Sequence, residues 1–243
     1  MRTVLLAAFA AVPMCSAAKE PSVVAEVQLS TVTVRQRPKG NILWQKTLDG
    51  ADNIQALVAG DQVLMVDNRF GPPRAEVSVY ALLSGTQLWT KKVDSSVYAE
   101  TRLNKYFLSY TVTGASSSSA TLILNKADGA ALQDIPGKRV AEAQNKLLFW
   151  LENTVDGYEP TRLNYVVYDA GANERTPLNY LIRQRSGCGE VVKDTLRPQN
   201  WERFTNHYVS ATRKDDCGAF VTRFDWMQPG NAKPLVYPQS EKR

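Results

Sequence analysis

The sequence predicts an all-β fold built from repeated four-stranded sheets, and three observations support this prediction. The turn residues Gly40, Gly85, Gly129 and Asn173 lie 45, 44 and 44 residues apart. Apolar, strand-like runs flank each of them, and every interval holds a second Gly- or Asn-bearing turn. A period near 44 with four strands is typical of a β-propeller blade, because one twisted sheet buries both faces only by stacking on neighbours. We therefore expect a β-propeller-like array of about four four-stranded blades plus an N-terminal hairpin.

The repeat units can be followed in order along the chain. The hairpin is expected within residues 23–48, which contain Gly40 and Trp44. The first turns of the four full units are Gly60-Asp61, Asn104-Lys105, Asn145-Lys146 and Asn206-His207. The second hairpins begin with the apolar runs Val77–Ala81, Thr121–Leu124, Tyr165–Tyr168 and Phe220–Phe224. The last turn, at Gly230, comes 57 residues after Asn173, which predicts an insertion within residues 183–200. A sandwich or an irregular barrel remains the alternative.

The sequence leaves closure of the array open. A hairpin at residues 23–48 would need two inner strands from the C-terminal part, and only six polar residues follow Tyr237. The expected forms are four blades with an added hairpin, five blades with one incomplete, and an open arc. An open arc would need edge strands protected by Lys and Arg.

Residues 1–18 are predicted to be a secretory signal peptide. Arg2 precedes an apolar run over residues 4–12, and Ser16-Ala17-Ala18 offers small residues for cleavage. That run is too short to span a bilayer. Attachment of a lipid to Cys15 is the lesser alternative, because Met14 is not the small residue that such processing requires. We expect a soluble, periplasmic or secreted β domain over residues 19–237, followed by a disordered tail at 238–243.

The cysteine count predicts one disulfide. Of three cysteines, Cys15 lies in the predicted signal peptide, which leaves Cys188 and Cys217. An even number of cysteines in an exported protein favours a disulfide. Closing this loop would stabilise the fold by about 3.5 kcal/mol on the chain-entropy account. No metal site is expected, because the chain has a single histidine to accompany the two cysteines.

The charged residues argue against a nucleic-acid partner. The chain has 29 basic and 24 acidic residues, and the signal peptide removes only Arg2 from this balance. The charges are interspersed, and no run of Lys or Arg provides the footprint of a phosphate backbone.

Few residues suggest catalysis. His207 occupies a turn position that Asp61, Lys105 and Lys146 fill in the other units, which indicates a surface residue. The serine-rich loop 114–119 lacks the Lys and following helix of a phosphate-binding loop, and residues 49–53 lack the pattern of a calcium loop. Glycoside hydrolysis needs only two carboxylates, so a glycan hydrolase is the alternative function. Its candidate loop carboxylates are Asp156, Glu159, Asp215 and Asp216.

One stretch resembles a known family. Val79-Tyr80-Ala81-Leu82, followed by Gly85 and Trp89, is similar to the blade motif of the PQQ-like (quinoprotein-type) β-propeller repeat family. The resemblance extends well over residues 54–93 and partly over 23–48 and 97–135. It implies that Trp44 and Trp89 pack between adjacent blades, and Gln133 and Pro177 replace the tryptophan later. The chain is shorter than the family's enzymes and lacks their adjacent cysteine pair. The resemblance therefore implies the non-catalytic branch, which includes envelope scaffolds, with no cofactor.

Propeller geometry predicts which loops share one face. The loops 69–74, 114–119, 154–162 and 214–218 should lie beside the blade-to-blade connection 183–200, which brings Cys188 near Cys217. The partner-binding candidates on this face are Arg69, Phe70, Arg74, Tyr158, Arg162 and Arg185. Arg and Tyr are favoured at interfaces, and long loops on rigid scaffolds often bind. We predict an exported binding or scaffold protein for a protein or polyanionic glycan; a quinone-dependent dehydrogenase ranks below the hydrolase alternative.

Overall fold

The computed structural model describes nine ranges of the 243-residue chain: 23–37, 40–51, 53–112, 118–151, 162–181, 185–190, 202–204, 208–228 and 235–238. Every regular element in these ranges is a β-strand, and none of them contains a helix that could cross a membrane. The predicted signal peptide with Cys15 lies outside the described residues, as do Asp156, Tyr158, Glu159, His207 and Gly230.

The N-terminal unit is a three-stranded sheet rather than the expected hairpin. Its strands are β1 (Val23–Gln28), β2 (Thr31–Gln36) and β3 (Ile42–Thr47). The first strand pairs with the second over its whole length, from Val23 opposite Gln36 to Gln28 opposite Thr31. This unit therefore has one strand fewer than a full blade, where the sequence suggested two.

Four four-stranded antiparallel sheets follow in chain order. The second sheet contains β4 (Asn53–Ala59), β5 (Gln62–Asn68), β6 (Ala75–Ala81) and β7 (Gln87–Val93). The third contains β8 (Val97–Arg102), β9 (Lys105–Val112), β10 (Ser118–Asn125) and β11 (Ala131–Pro136). The fourth contains β12 (Lys138–Ala143), β13 (Lys146–Trp150), β14 (Arg162–Asp169) and β15 (Glu174–Leu181). The fifth contains β16 (Glu202–Phe204), β17 (Tyr208–Asp215), β18 (Gly218–Asp225) and β19 (Leu235–Pro238).

The four predicted turn residues that define the repeat have positive φ, whereas at the first turn of the fourth sheet Gln144 has positive φ in place of the predicted Asn145. Gly40, Gly85, Gly129 and Asn173 have φ of 71°, 69°, 71° and 56°, a region that glycine and asparagine tolerate best. The pairing of the outer strands shifts register at the same place in three successive sheets. These shifts fall at Val34/Arg35, Val79/Tyr80 and Ile123/Leu124. The repeat is thus present in the backbone as well as in the sequence.

Four apolar seams hold the five sheets together, one between each consecutive pair. Alternation along a strand supplies side chains to two seams at once: in β5, Val63 and Met65 face the first sheet, while Leu64 and Val66 face the third. The third and fourth sheets meet around Phe107 and Phe149, and the fourth and fifth around residues such as Tyr180 and Phe224. Because both faces of the middle sheets are covered, their central strands, such as β5 and β6, carry near-continuous apolar runs.

Trp44 and Trp89 lie at the first two of these seams, as the family resemblance implied. Trp44 of the first sheet packs under Gly85 of the second, where an added Cβ would lie 2.8 Å from the indole ring. The indole Nε1–H of Trp44 donates a hydrogen bond of 2.8 Å to the carbonyl of Leu82. Trp44 is therefore a structural residue that joins two sheets.

The next seam repeats this arrangement. Trp89 packs under Gly129, where a Cβ would lie 2.6 Å from the ring, and its indole donates to the carbonyl of Lys126 at 3.0 Å. In the third sheet Gln133 replaces the tryptophan. Its amide donates to the carbonyl of Asn173 at 3.2 Å, so this seam has the equivalent hydrogen bond without an indole ring.

The first strands of successive sheets lie side by side, as they do around the axis of a propeller. The Gln55 amide of β4 bonds both backbone groups of Ala99 in β8, at 2.5 and 2.8 Å. Arg139 of β12 contacts Glu100 of β8 at 2.8 Å. Among the described strands, none of the fifth sheet pairs with the first sheet. The structure is therefore an all-β, propeller-like array that strand pairing does not close.

Candidate functional site

One end of the array, here called the loop face, carries the loop of residues 69–74 and the connections at 94–96 and 137. The strand register places them together, because Asn68 pairs with Ala75, and Ala75 with Val93. The turn after Asp215 and the segment 185–190 also lie on this face. A disulfide between Cys188 and Cys217, whose Cα atoms are 5.5 Å apart, joins them to each other. The predicted cysteine pairing is confirmed.

Arg185 anchors the disulfide-bearing segment to the fifth sheet. Its Nε donates to Asp215 at 2.7 Å, and a second guanidinium nitrogen contacts the other carboxylate oxygen. The guanidinium also lies 4.5 Å from the centre of the Phe220 ring. The hydrogen bond from Arg185 is the main cause that lowers the pKa of the buried Asp215 carboxyl, and the Cys217 backbone N–H adds to it. The charge of Arg185 is thus compensated inside the protein.

Arg69 is compensated in the same way. Its guanidinium bonds the carboxylate of Asp67, whose side chain is 5% exposed, and this hydrogen bond raises the pKa of Arg69. The backbone N–H of Arg69 donates to the carbonyl of Arg74 at 2.8 Å and closes the loop. Phe70 is 93% exposed at the loop tip, and Arg74 is also exposed.

A cleft of about 720 Å³ opens on the loop face where the second, third and fourth sheets meet. Its described lining combines polar side chains with apolar residues such as Ile54 and Val97, and it contains no carboxylate. The polar members are Asn53, Gln55, Asn68, Ser96, Tyr98, Ser109, Tyr110, Thr111, Ser119, Thr121 and Lys138.

Two amide side chains fix the walls of the cleft. The Asn68 amide spans the second and third sheets, because its Nδ2 donates to the carbonyl of Val97 at 3.1 Å while its Oδ1 accepts from the Val97 N–H at 2.9 Å. Gln55 of the neighbouring strand β4 makes the equivalent pair with Ala99, two residues further along β8. These amides hold the strand ends at a set separation, so the cleft is formed without a ligand.

The phenol groups of the cleft differ in their bonding. The Tyr110 hydroxyl donates toward both carboxylate oxygens of Asp134 at 2.9 Å. Burial is the largest of the effects that raise the pKa of Tyr110 to about 12, so this phenol stays protonated. Tyr98 is 65% exposed and makes no side-chain hydrogen bond to any described residue.

The structure brings together part of the predicted site. Arg69, Phe70, Arg74 and Arg185 lie on the loop face; Arg162 begins β14 at the same end, and Tyr158 falls outside the described residues. Of the candidate carboxylates, Asp215 pairs with Arg185 and Asp216 follows it in the turn. The Asp215 carboxylate lies within 4.8 Å of the sulfurs of Cys188 and Cys217. These sulfurs are bonded to each other and cannot act as thiolate ligands for a metal.

Sequence reasoning missed the cleft. A signal was present in the alternating hydroxyls Ser109 and Thr111 of β9 and Ser119 and Thr121 of β10. Alternate residues of a strand face one side of the sheet, so each pair predicts a polar patch within otherwise apolar strands. The adjoining sheets that turn this patch into a cleft cannot be read from the alternation alone.

The fold and site together define an all-β, propeller-like array with a hydroxyl-bearing cleft on its loop face. No family model and no curated protein matches the sequence. Solved structures with similar chain architecture include BamB from Moraxella catarrhalis (12% identity, TM-score 0.40), matched over 89% of this chain and 60% of that one. A europium-containing methanol dehydrogenase matches at 11% identity and TM-score 0.43, over 88% and 49%. The β-propeller domain of the Trilobed protease from Pyrococcus furiosus, described as having an open velcro topology, matches at 11% and 0.39, over 91% and 66%.

Proposed function

We propose that this chain is an exported, non-catalytic binding protein that docks a protein partner on its loop face, with Phe70 as the anchor. The observation that carries the proposal is the exposure of Phe70, 93%, on a loop whose neighbouring arginine is tied to a buried carboxylate. An exposed aromatic ring on a constrained loop loses little conformational entropy when it binds. The Cys188–Cys217 disulfide supports an oxidising compartment, in keeping with periplasmic or secreted location.

The charges of the loop face favour a protein over a polyanionic glycan. Arg69 and Arg185 are each neutralised by an aspartate of this chain, so they offer little to an anionic polymer. Arg74 is exposed and can meet a single acidic group at the rim of an interface. Aromatic residues and arginine are the side chains most enriched among interface hot spots.

The expected contribution of Phe70 is large for one side chain. A fully buried phenylalanine removes about 150–250 Å² from water, which at about 25 cal/mol per Å² corresponds to several kcal/mol before ordering costs. Truncation to alanine should therefore weaken binding by at least about thirtyfold, the threshold of an interface hot spot.

Site-specific photo-crosslinking tests the proposal in cells that produce the protein. A benzophenone amino acid replaces Phe70 in one variant and Leu83 in another. Leu83 is the matched control, because it is 73% exposed in the turn at the opposite end of β6. We expect a discrete protein adduct from position 70 and none from position 83.

Mass spectrometry of the adduct identifies the partner for a binding measurement with purified proteins. Phe70→Ala should weaken that binding by thirtyfold or more, while Leu83→Ala should leave it unchanged. Equal adducts at both positions, or equal affinity of the two alanine variants, would refute docking through the loop face.

A further inference from the structure

The cleft between the second, third and fourth sheets contains an ordered patch of hydroxyl groups. Thr111 lies opposite Ser119 and Ser109 lies opposite Thr121 across the β9–β10 pair. Tyr98 of β8 lies opposite Ser109 and extends the second row. Cross-strand partners share one face of a sheet, so all five side chains lie on the side turned toward the fourth sheet.

The patch has unused hydrogen-bonding capacity. The amides of Asn68 and Gln55 bond the second sheet to the third, and the phenol of Tyr110 bonds Asp134 within the third sheet. The side chains of Tyr98, Ser109 and Thr111 have no hydrogen-bond partner among the described residues. Each free hydroxyl can donate one bond and accept two. An apolar ligand would leave these groups unpaired, at a cost of about 1–3 kcal/mol for each one buried.

The charge and size of the cleft further restrict the class of ligand that it can bind. Lys138 is the one charged side chain of the described lining, so the cleft is close to neutral. A volume of about 720 Å³ falls within the range of small-molecule sites and is too small for a folded domain. The exposed ring of Tyr98 adds an apolar face beside the hydroxyls. A ligand that presents hydroxyls around its edge and C–H groups on its faces matches this combination.

We propose that the cleft binds a short stretch of a neutral oligosaccharide. One sugar ring packs on Tyr98, and its hydroxyls bond the Ser109 and Thr111 side chains. Phe70 is not one of the described lining residues, so glycan binding in the cleft and protein docking at Phe70 can be tested independently.

An array of immobilised oligosaccharides, both neutral and sulfated or uronate-containing, tests the ligand class with the purified full-length mature protein. We expect binding to a subset of the neutral oligosaccharides. The best of these is then titrated calorimetrically against the wild type and three variants. Tyr98→Ala should weaken binding tenfold or more, Tyr98→Phe should retain the packing and lose less, and Phe70→Ala should bind like the wild type.

Several outcomes would overturn the proposal. They are an absence of binding to any neutral oligosaccharide at millimolar concentration, preference for the anionic ones, or an affinity that Tyr98→Ala leaves unchanged. Because the Tyr98 side chain is largely exposed, its removal should not unfold the protein, and the thermal midpoint of Tyr98→Ala verifies this. If no protein adduct forms from position 70 but the cleft binds a neutral oligosaccharide, only the protein-docking proposal has failed.

Discussion

Glycine has two separable roles at the turns: it adopts a left-handed backbone conformation, and it leaves room for the side chain of a neighbouring sheet. Gly40 and Gly85 share the same left-handed conformation, with φ of 71° and 69°. A Cβ on Gly40 would meet nothing within 4 Å, whereas a Cβ on Gly85 would lie 2.8 Å from Trp44. Backbone freedom is required at both positions, but close approach of a neighbouring sheet is required only at Gly85.

Alanine substitutions separate these roles. Gly40→Ala should lower the free energy of unfolding by about 1 kcal/mol, the cost of a left-handed alanine. Gly85→Ala should lower it by about 3 kcal/mol, because the indole must also move. Urea denaturation of both variants measures the difference. Equal losses would mean that Trp44 does not pack on this turn.

The buried Asp215 makes stability depend on acid pH. Its pKa is lowered in the folded protein, so it stabilises the fold above its unfolded value of 3.8, and this contribution disappears as pH falls through the folded pKa. Asp215→Asn should melt below the wild type at pH 7, with the difference shrinking below pH 4. Asp216→Asn removes the same charge from an exposed neighbour and is the control. A constant difference across pH would contradict the pairing with Arg185.

At the level of strands and turns, the sequence predicted what depends on local patterns. Positive-φ turns at Gly85 and Asn173 and the apolar strands around them follow from residue type and alternation. Strand β1 was missed because the sequence pattern indicated only one hairpin within residues 23–48, which corresponds to β2 and β3. Its alternation is weak, with three consecutive exposed residues at its end. The cleft was missed for a different reason, since its walls come from three successive sheets whose relative placement is not specified by the local pattern of any one of them.

The disulfide ties the connection between the fourth and fifth sheets to the turn between β17 and β18. Replacement of Cys188 and Cys217 by serine should lower the free energy of unfolding by up to about 3.5 kcal/mol. After alkylation without reductant, the intact mass of the wild type should show no alkyl group on Cys188 or Cys217, because their sulfurs are bonded to each other. Alkylation of this pair without reductant would show that the bond does not form.

In the whole molecule, each sheet gains its buried surface from its immediate neighbours. The four apolar seams each join sheets consecutive in the chain. The free energy of unfolding of such an array is close to the sum of the stabilities of its sheets and of the interfaces between neighbours. A substitution that damages one seam should therefore destabilise the adjoining sheets more than distant ones.

Hydrogen exchange in the Gly85→Ala variant tests this locality. Exchange should accelerate in β1–β3 and in β5 and β6, which flank the damaged seam. The amides of β17 and β18, three seams away, should exchange at wild-type rates. Uniform acceleration across all sheets would indicate one cooperative core instead of neighbour-coupled sheets.

The central claim is that sheets stack in chain order and that, at the first two seams, a tryptophan of one sheet lies beneath the turn glycine of the next. Proton NMR of the glycine-labelled protein tests it most directly, because an α-proton that points into an indole ring is shifted strongly upfield. Gly85 and Gly129 should show such α-protons and Gly40 should not; Trp44→Leu should abolish the Gly85 shift while leaving that of Gly129. Ordinary α-proton shifts at both Gly85 and Gly129 would contradict the stacked array.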